Sequence, residues 1–599
     1  ISFDIFERIN TNMMRILVIL WLISLTLHVQ AQQEQPFFKP ISSDEAPTFL
    51  ENIILPRVTT PPPVPVRAAA QWEEMKGVVI SWKTYSGVDL FATLASICDH
   101  IQETATVYIL CEDSNSVKNY LTSKNVPLYN IEYIVTPTNS IWARDYSANT
   151  IYENEVFTNS LVDWQYNRPR PQDDASPDAL ADFLNQPLYE TTTAPNKLVN
   201  TGGNYMSDGH GTAFCSKLVL EENAPGGGFN NNLTEADVDS IMKKYMGINR
   251  FIKMDMLPYD GIHHIDMHMK LLDEETLLVG SYPDGISDGP QIEENLQYVL
   301  DNFQSCFNRP YKVIRIPQPP SPSGNYPGQP FGNGYYRTYT NALICNDYVL
   351  VPNYYEKYDT TAYRIWTESM PGYKIKMIDC NDIIQYSGAL HCITHEIGVD
   401  DPIFISHAKL YDTNNTSTPY EVNAYVNTQS GVASVNLFWT IDTLSGYASL
   451  PMSSLGAGNY QAFIPAQSAG TKVFYYIEAS SNSGRTIRKP LVAPEGVIMF
   501  NVLGGTTSVW NGQSKAQLFV PYPIPATDLL NVSYFAPVGG QTTINVYNLI
   551  GHLIYTVSNI NAPGMQQYAL DISNLSEGTY LLEFKNGEYT QMKKFIKIK

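Results

Sequence analysis

Between residues 67 and 400, short apolar runs and amphipathic stretches take turns, and this alternation restricts the fold more than any other feature of the chain. "KGVVISW" (76–82) has the apolar, β-branched content of a strand, and "GVDLFATLASICDHI" (87–101) places Leu90, Leu94, Ile97 and Ile101 at helical spacing. A strand at "ATVYILC" (105–111), a helix at "SNSVKNYLTSKN" (114–125) with Ser114 as candidate N-cap, and a strand at "NIEYIVT" (130–136) follow. The same order returns in "TLLVGSYP" (276–283), "IEENLQYVLDNF" (292–303) and "YKVIRIP" (311–317), and again from "YTNALICNDYVLVP" (339–352) through "TTAYRIWTESM" (360–370) to "YKIKMID" (373–379). Asn346-Asp347 predicts a tight hairpin. Repeated strand–helix–strand units make this a multi-unit α/β domain, and a barrel, a doubly wound sheet and an α/β propeller all satisfy the pattern.

After residue 400 the pattern changes. "EVNAYVN", "SVNLFWTID", "NYQAFIP", "KVFYYIEAS" and "GVIMFNV" are short strands divided by Gly, Ser and Asn turns. Residues 401–502 therefore read as a β-sandwich of immunoglobulin-like size, without the cysteine pair of antibody domains. A Gly/Ser/Thr linker at 503–516 leads to a second all-β unit, 517–599. At the other end, "MMRILVILWLISLTLHVQAQQ" begins at Met13 with one Arg before a short apolar run. It reads as a secretory signal peptide cut after Ala31, with residues 1–12 a non-native leader. Gln and Pro dominate 32–66, an extended linker or pro-segment. No later stretch reaches the roughly 18 apolar residues of a membrane span, so no transmembrane segment is expected in the mature chain. With 59 Asp and Glu against 38 Lys and Arg, the net charge of −21 repels phosphate backbones and argues against nucleic acid as a partner.

Polar residues gather in four places: "SIWARDYSAN" (140–149), "TGGNYMSDGHGTAFCS" (201–216), "DGIHHIDMHMK" (260–270) and "YSGALHCITHEIG" (386–398). Were the third a strand, His264, Asp266 and His268 would share one face. Zinc could use three such ligands. Yet same-face neighbours lie about 6–7 Å apart on a strand, and no HExxH accompanies them. A plain polar strand is the structural alternative. The third reading is a thiol enzyme. The seven cysteines show no CxxC, and an odd number in an exported chain leaves at least one thiol unpaired or paired between molecules. A cysteine nucleophile needs its thiolate stabilised, and a histidine can move the protons. Carboxylates would hold a guanidinium substrate in bidentate fashion, and that cation would offset the cost of burying them. Asp145, His264, Asp266 and Cys392 form such a set.

In chain order, "QWEEMKGVVISW" (71–82), "WARDYS", "GG…DGHGT", "HID" and "GALHC" resemble the guanidine-modifying superfamily. Within it they are similar to agmatine deiminases and to bacterial peptidylarginine deiminases of the Porphyromonas type, over nearly all of 67–400. The resemblance implies a five-bladed α/β propeller, the pentein fold, working without cofactor or metal. It implies that Cys392 attacks the guanidinium carbon and that His264 protonates the leaving ammonia and then activates water. Asp145 and Asp266 would grip guanidinium nitrogens, and Trp142 would pack on the substrate's aliphatic stem. His263 and His268 have no part in that pattern and are expected to be structural.

The choice of guanidine turns on "YNRPRPQDD" (166–174). Arg168 and Arg170 resemble the pair with which the Porphyromonas-type enzymes hold a peptide's C-terminal carboxylate, and two guanidinium groups suit a carboxylate. The alternative is a solvated loop neutralised by Asp173 and Asp174. Agmatine ends in a cation and has no use for arginines there. The last unit, with "PYPIPATDLLNV" (521–532), "EGTYLLEF" (577–584) and "KKFIKIK", resembles the C-terminal sorting domain of type IX secretion, although Ile524 stands where Asn is usual. The expectation is a secreted or outer-surface protein-arginine deiminase, an amidine C–N hydrolase whose partners are arginine-containing peptides and the secretion machinery. An agmatine or free-arginine deiminase and a non-catalytic adhesin are the competing readings.

Overall fold

The computed structural model describes residues 60–598, except Asn230, Glu588 and the stretches 329–333, 504–516, 519–520, 522–525, 537–539 and 562–563. The expected signal peptide, most of the segment 32–66 and nearly all of the linker 503–516 lie outside the described residues.

One motif recurs five times between residues 66 and 399: an antiparallel strand pair whose second strand leads through helix to a third, parallel strand. In one sheet His395–Gly398 pairs antiparallel with Met75–Ser81, and helix Phe91–Ile101 leads to parallel Thr106–Cys111. Asn149–Glu153 and Asn159–Tyr166 repeat it through Ser176–Leu184 to Leu188–Thr191. Met206–Ser207 and Thr212–Ser216 continue through Leu218–Asn223 and Glu235–Met246 to Arg250–Met254. Met269–Asp273 and Thr276–Ser281 use Gly289–Asn302 and Lys312–Pro317. Leu343–Cys345 and Tyr348–Asn353 use Glu356–Ser369 and Lys374–Asp379. The second strands are buried almost throughout, which is why they read as continuous apolar runs rather than alternating ones. The first sheet draws its strands from both ends of the region, so the last strand closes onto the first.

Local signals behave as chemistry requires, with one correction. Asn346-Asp347 is the two-residue hairpin turn, and Asn346 takes φ 51°. The helix Ser114–Ser123 is capped by Asp113, not Ser114, because the Asp113 carboxylate accepts from both the Asn115 and Ser116 amides.

Residues 403–501 form two antiparallel sheets around a shared apolar core that includes Val422, Leu437, Val473, Ile477 and Phe500. Lys409 bonds Asp273 at 2.6 Å, Arg485 meets Glu74, and Lys489 meets Glu274, tying this region to the α/β part. Residues 517–598, described by themselves, form two further antiparallel sheets around Leu530, Val532, Val546, Leu582 and Phe584. Among the described residues no helix is long and apolar enough to cross a membrane.

Candidate active site

Four of the five links that enter the first strand of a repeat carry a polar residue of the site, the remaining one carries a glycine pair, and these links meet. Asp145 lies on the short helix Ala143–Tyr146, ahead of Asn149–Glu153. Gly202 and Gly203 precede Met206–Ser207. His264 and Asp266 precede Met269–Asp273, Asn341 precedes Leu343–Cys345, and Cys392 precedes His395–Gly398.

The stretch that admitted a metal reading on one strand face is not a strand. His263 takes φ 58°, and Ile265–Met267 form a 3-10 turn with His264 as its N-cap residue. Residues 264–270 are all buried, so no face alternates and the three-ligand arrangement of His264, Asp266 and His268 does not arise. Among the described residues no group of three or more His, Cys, Asp or Glu is placed to hold a metal ion. His268 is buried and its pKa is drawn down to about 4 by burial. In the "DGHGT" stretch, Asp208 Oδ1 accepts from the amides of His210 and Thr212 and so closes a turn.

Asp145 Oδ1 accepts from the Gly203 amide at 3.2 Å and lies 3.6 Å from His264 Nδ1. The approach needs glycine: a Cβ at residue 203 would stand 2.4 Å from His264 Nδ1 and 2.9 Å from Asp145 Oδ1. Asp266 Oδ2 meets His391 Nδ1 at 2.7 Å and Cys392 Sγ at 3.6 Å. Asn341 was not singled out by sequence. Its Nδ2 lies 3.2 Å from Cys392 Sγ, and its Oδ1 accepts from the amides of Ala389, His391 and Cys392. One side chain thus shapes the cysteine loop and contacts its sulfur. Behind the loop, Arg144 bonds Glu396 at 2.5 Å and donates to the His391 carbonyl.

The electrostatics are those of acids and a histidine held in burial. Burial, set against hydrogen bonds and nearby arginines, pushes the Asp145 carboxyl up to about 6. Burial, and next the Asp145 charge, raise Asp266 to about 7. Burial and these same two carboxylates push the Cys392 thiol well above its usual value. Burial, and next the Arg168 charge, hold His264 well below its usual value. Both His264 ring nitrogens and Asp266 Oδ1 are buried with no hydrogen-bond partner among the described residues, a state that calls for explanation by a ligand or water.

Arg168 is 3% exposed, donates to the Asn167 carbonyl at 2.8 Å, and faces both Asp145 and His264. Arg170 is half-buried and is held by Tyr85, Tyr166 and Ser140, so the two arginines are in different surroundings. Asp173 accepts from Asn139 and Ser140, and Asp174 from Tyr166 and Gln165; the pair closes the loop from within. Trp142 is buried edge-on against Tyr85 and beside Gly388, where a Cβ would stand 2.4 Å from its ring and 3.1 Å from Cys392 Cβ.

The family model of Porphyromonas-type peptidyl-arginine deiminase matches residues 67–397, and that of a secretion system C-terminal sorting domain matches residues 521–599. A candidate agmatine deiminase of Legionella pneumophila is 28% identical over 279 residues, 45% of this chain and 75% of that one. One of Selenomonas ruminantium is 24% identical over 350 residues, 53% of this chain and 90% of that one. Among solved structures, the agmatine deiminase of Enterococcus faecalis aligns at 18% identity with a TM-score of 0.47, covering 55% of this chain and 95% of that one.

Proposed function

Since the chain belongs to the Porphyromonas-type peptidyl-arginine deiminase family, hydrolases of the guanidino C–N bond, we propose that it converts peptidyl arginine, preferentially at a peptide C-terminus, to citrulline and ammonia. Its C-terminal sorting domain marks it as a secreted or cell-surface protein. On this reading the five repeats are the blades of a pentein propeller, residues 401–502 are an immunoglobulin-like sandwich, and residues 517–599 engage the secretion machinery.

The observation that carries the proposal is the pair of carboxylates Asp145 and Asp266, whose side chains are 8% and 1% exposed, with Cys392 Sγ 3.6 Å from the second. Without substrate the thiol keeps its proton, because burial and two neighbouring acids disfavour the thiolate. A guanidinium bound between the carboxylates supplies the missing cation, and the thiol then gives its proton to neutral His264. The thiolate adds to the guanidinium carbon, and imidazolium His264 protonates the departing nitrogen, which leaves as ammonia. Neutral His264 next takes a proton from water, the hydroxide adds to the S-alkylthiouronium, and the C–S bond breaks to give the ureido product and restore Cys392.

The buried Arg168 cation beside Asp145 favours a substrate that carries a carboxylate near its guanidinium. It disfavours agmatine, whose far end is an amine. Arg170, on the Tyr85 ring, widens that positive edge, and Trp142 walls the stem. The test is citrulline release, read by mass spectrometry, from a peptide ending in arginine, its amide, an internal-arginine peptide and agmatine. The expected result is turnover of the first, with Arg168→Ala raising KM about 30-fold or more. Faster turnover of agmatine would overturn the substrate assignment. Inertness toward all four in a folded protein would favour the adhesin reading.

A further inference from the structure

We propose that Lys270 and Gln71 are positioning residues that hold Asp266, through His391, in the orientation that receives both the guanidinium and the Cys392 thiol. The inference rests on the deiminase reading of the same site and adds to it two residues that touch no reacting atom.

The hydrogen bonds between them form one line with one direction. Lys270 Nζ donates to Gln71 Oε1 at 2.7 Å. An ammonium can only donate, so the Gln71 amide is turned with its oxygen toward Lys270 and its NH2 away. That NH2 meets His391 Nε2 at 2.6 Å. An NH2 also only donates, so Nε2 accepts. Burial, and next the Arg144 and Lys270 charges, keep His391 neutral. A neutral ring that accepts at Nε2 carries its proton on Nδ1. Nδ1 then donates to Asp266 Oδ2 at 2.7 Å, the oxygen that lies 3.6 Å from Cys392 Sγ. The line therefore sets the tautomer of His391 from its far end. Without the ammonium, a flipped amide would present its oxygen to Nε2, and Nδ1 would turn a lone pair on the carboxylate.

The placement of the line is costly and specific. Lys270 is 1% exposed, and burial pulls its ammonium down to about 7. It faces Glu396, Arg144, Asp266 and Cys392, but Glu396 is already bound by Arg144 at 2.5 Å. His391 also faces His395 and His264, and Asp266 faces Asp145 and Arg144. Lys270 comes from the strand Met269–Asp273 and Gln71 from the segment before Met75–Ser81, so two separate elements converge on the cysteine loop.

The test compares Lys270→Met, Gln71→Met and the double variant in the full chain, with thermal midpoints to confirm folding. The readouts are the pH dependence of kcat/KM on the arginine-ended peptide and the pH dependence of Cys392 alkylation by iodoacetamide, resolved by mass spectrometry. Each single variant is expected to move the acid limb of kcat/KM up by about one pH unit, since either change leaves His391 free to turn its Nδ1 lone pair on the carboxylate, which then loses its donor. The double variant is expected to move it no further. An unmoved limb in a folded Lys270→Met protein overturns the proposal. So does a shift in Lys270→Met with Gln71→Met silent, which would mean charge acting through space, and so do additive shifts. If the unaltered protein turns over no guanidine, the deiminase reading fails. The line is then judged on alkylation alone, where an upward shift in both variants supports it and an unchanged profile overturns it.

Discussion

Two histidines, one in each of the first two regions, show how differently those regions use a buried polar group. His407, in the two-sheet region, is 3% exposed, and burial draws its pKa down to about 4. Its Nδ1 meets the Asn423 carbonyl at 2.6 Å and its Nε2 the Tyr475 hydroxyl at 2.8 Å. His264, in the α/β region, is 1% exposed and its pKa is also lowered by burial, yet neither ring nitrogen has a hydrogen-bond partner among the described residues. The charges that face His407, those of Lys489, Glu274 and Lys409, are themselves paired, Lys489 with Glu274 and Lys409 with Asp273. Around His264 stand Asp145 and Arg168, with Asp266, Cys392 and His391 beyond. A buried polar group with its bonds made is part of the scaffold. A cluster of opposed, raised and unpartnered groups costs stability, and the cost is intelligible where a charged ligand completes it.

The largest expected effect separates chemistry from scaffold. Cys392→Ala should lower kcat about 10⁴-fold or more, with the melting temperature nearly unchanged; residual turnover within tenfold of the parent would remove Cys392 from the nucleophile's role. Leu437→Ala does the opposite. It leaves a cavity in the fully buried core of the two-sheet region and should cost about 3 kcal/mol in denaturant unfolding, with activity intact where the protein is folded.

Asp266→Asn sharpens the contrast through pH. Its folded pKa, about 7, is raised above the usual carboxylate value, so its contribution to stability is full below about pH 4 and is lost as pH rises through about 7. The variant should therefore be more stable than the parent by about 2 kcal/mol at pH 8 and no more stable at pH 4, while losing activity at pH 8. Thermal unfolding at the two pH values decides this, and a variant less stable at pH 8 would contradict it. The smallest effect belongs to the surface. Arg364→Ala breaks an exposed i,i+4 pair with Glu368 and should change stability by less than about 0.5 kcal/mol in the same assay.

Much of the α/β region is legible in sequence. Helix Phe91–Ile101 buries Leu94, Ile97 and Ile101, as their spacing predicts, and the hairpin falls at Asn346-Asp347. Asp145 and Cys392 are conspicuous because each sits in a compact polar motif. The backbone around His264 and Asp266 is not legible, because residues 264–270 are buried without exception and leave no periodicity to read. Asn341 carries no local mark either, and Gln71 and Lys270 stand at the ends of quoted motifs with nothing in the spacing to pair them. Asn341 lies in an ordinary strand approach and Lys270 on a strand whose side-chain burial is nearly continuous.

Taken alone, the amino-acid sequence determined the alternation of strands and helices, the change to all-β structure after residue 400, and a short roster of reactive side chains. These follow from contacts a few residues apart, which hydrophobic spacing and turn chemistry record directly. Tertiary structure alone decided that His395–Gly398 closes onto Met75–Ser81, that Asp266 reaches a cysteine 126 residues away, and that Lys270 reaches Gln71 across 199. Such meetings depend on how the five sheets pack and on where each link ends. No local spacing encodes the angstrom-scale distances that turn four polar motifs into one site.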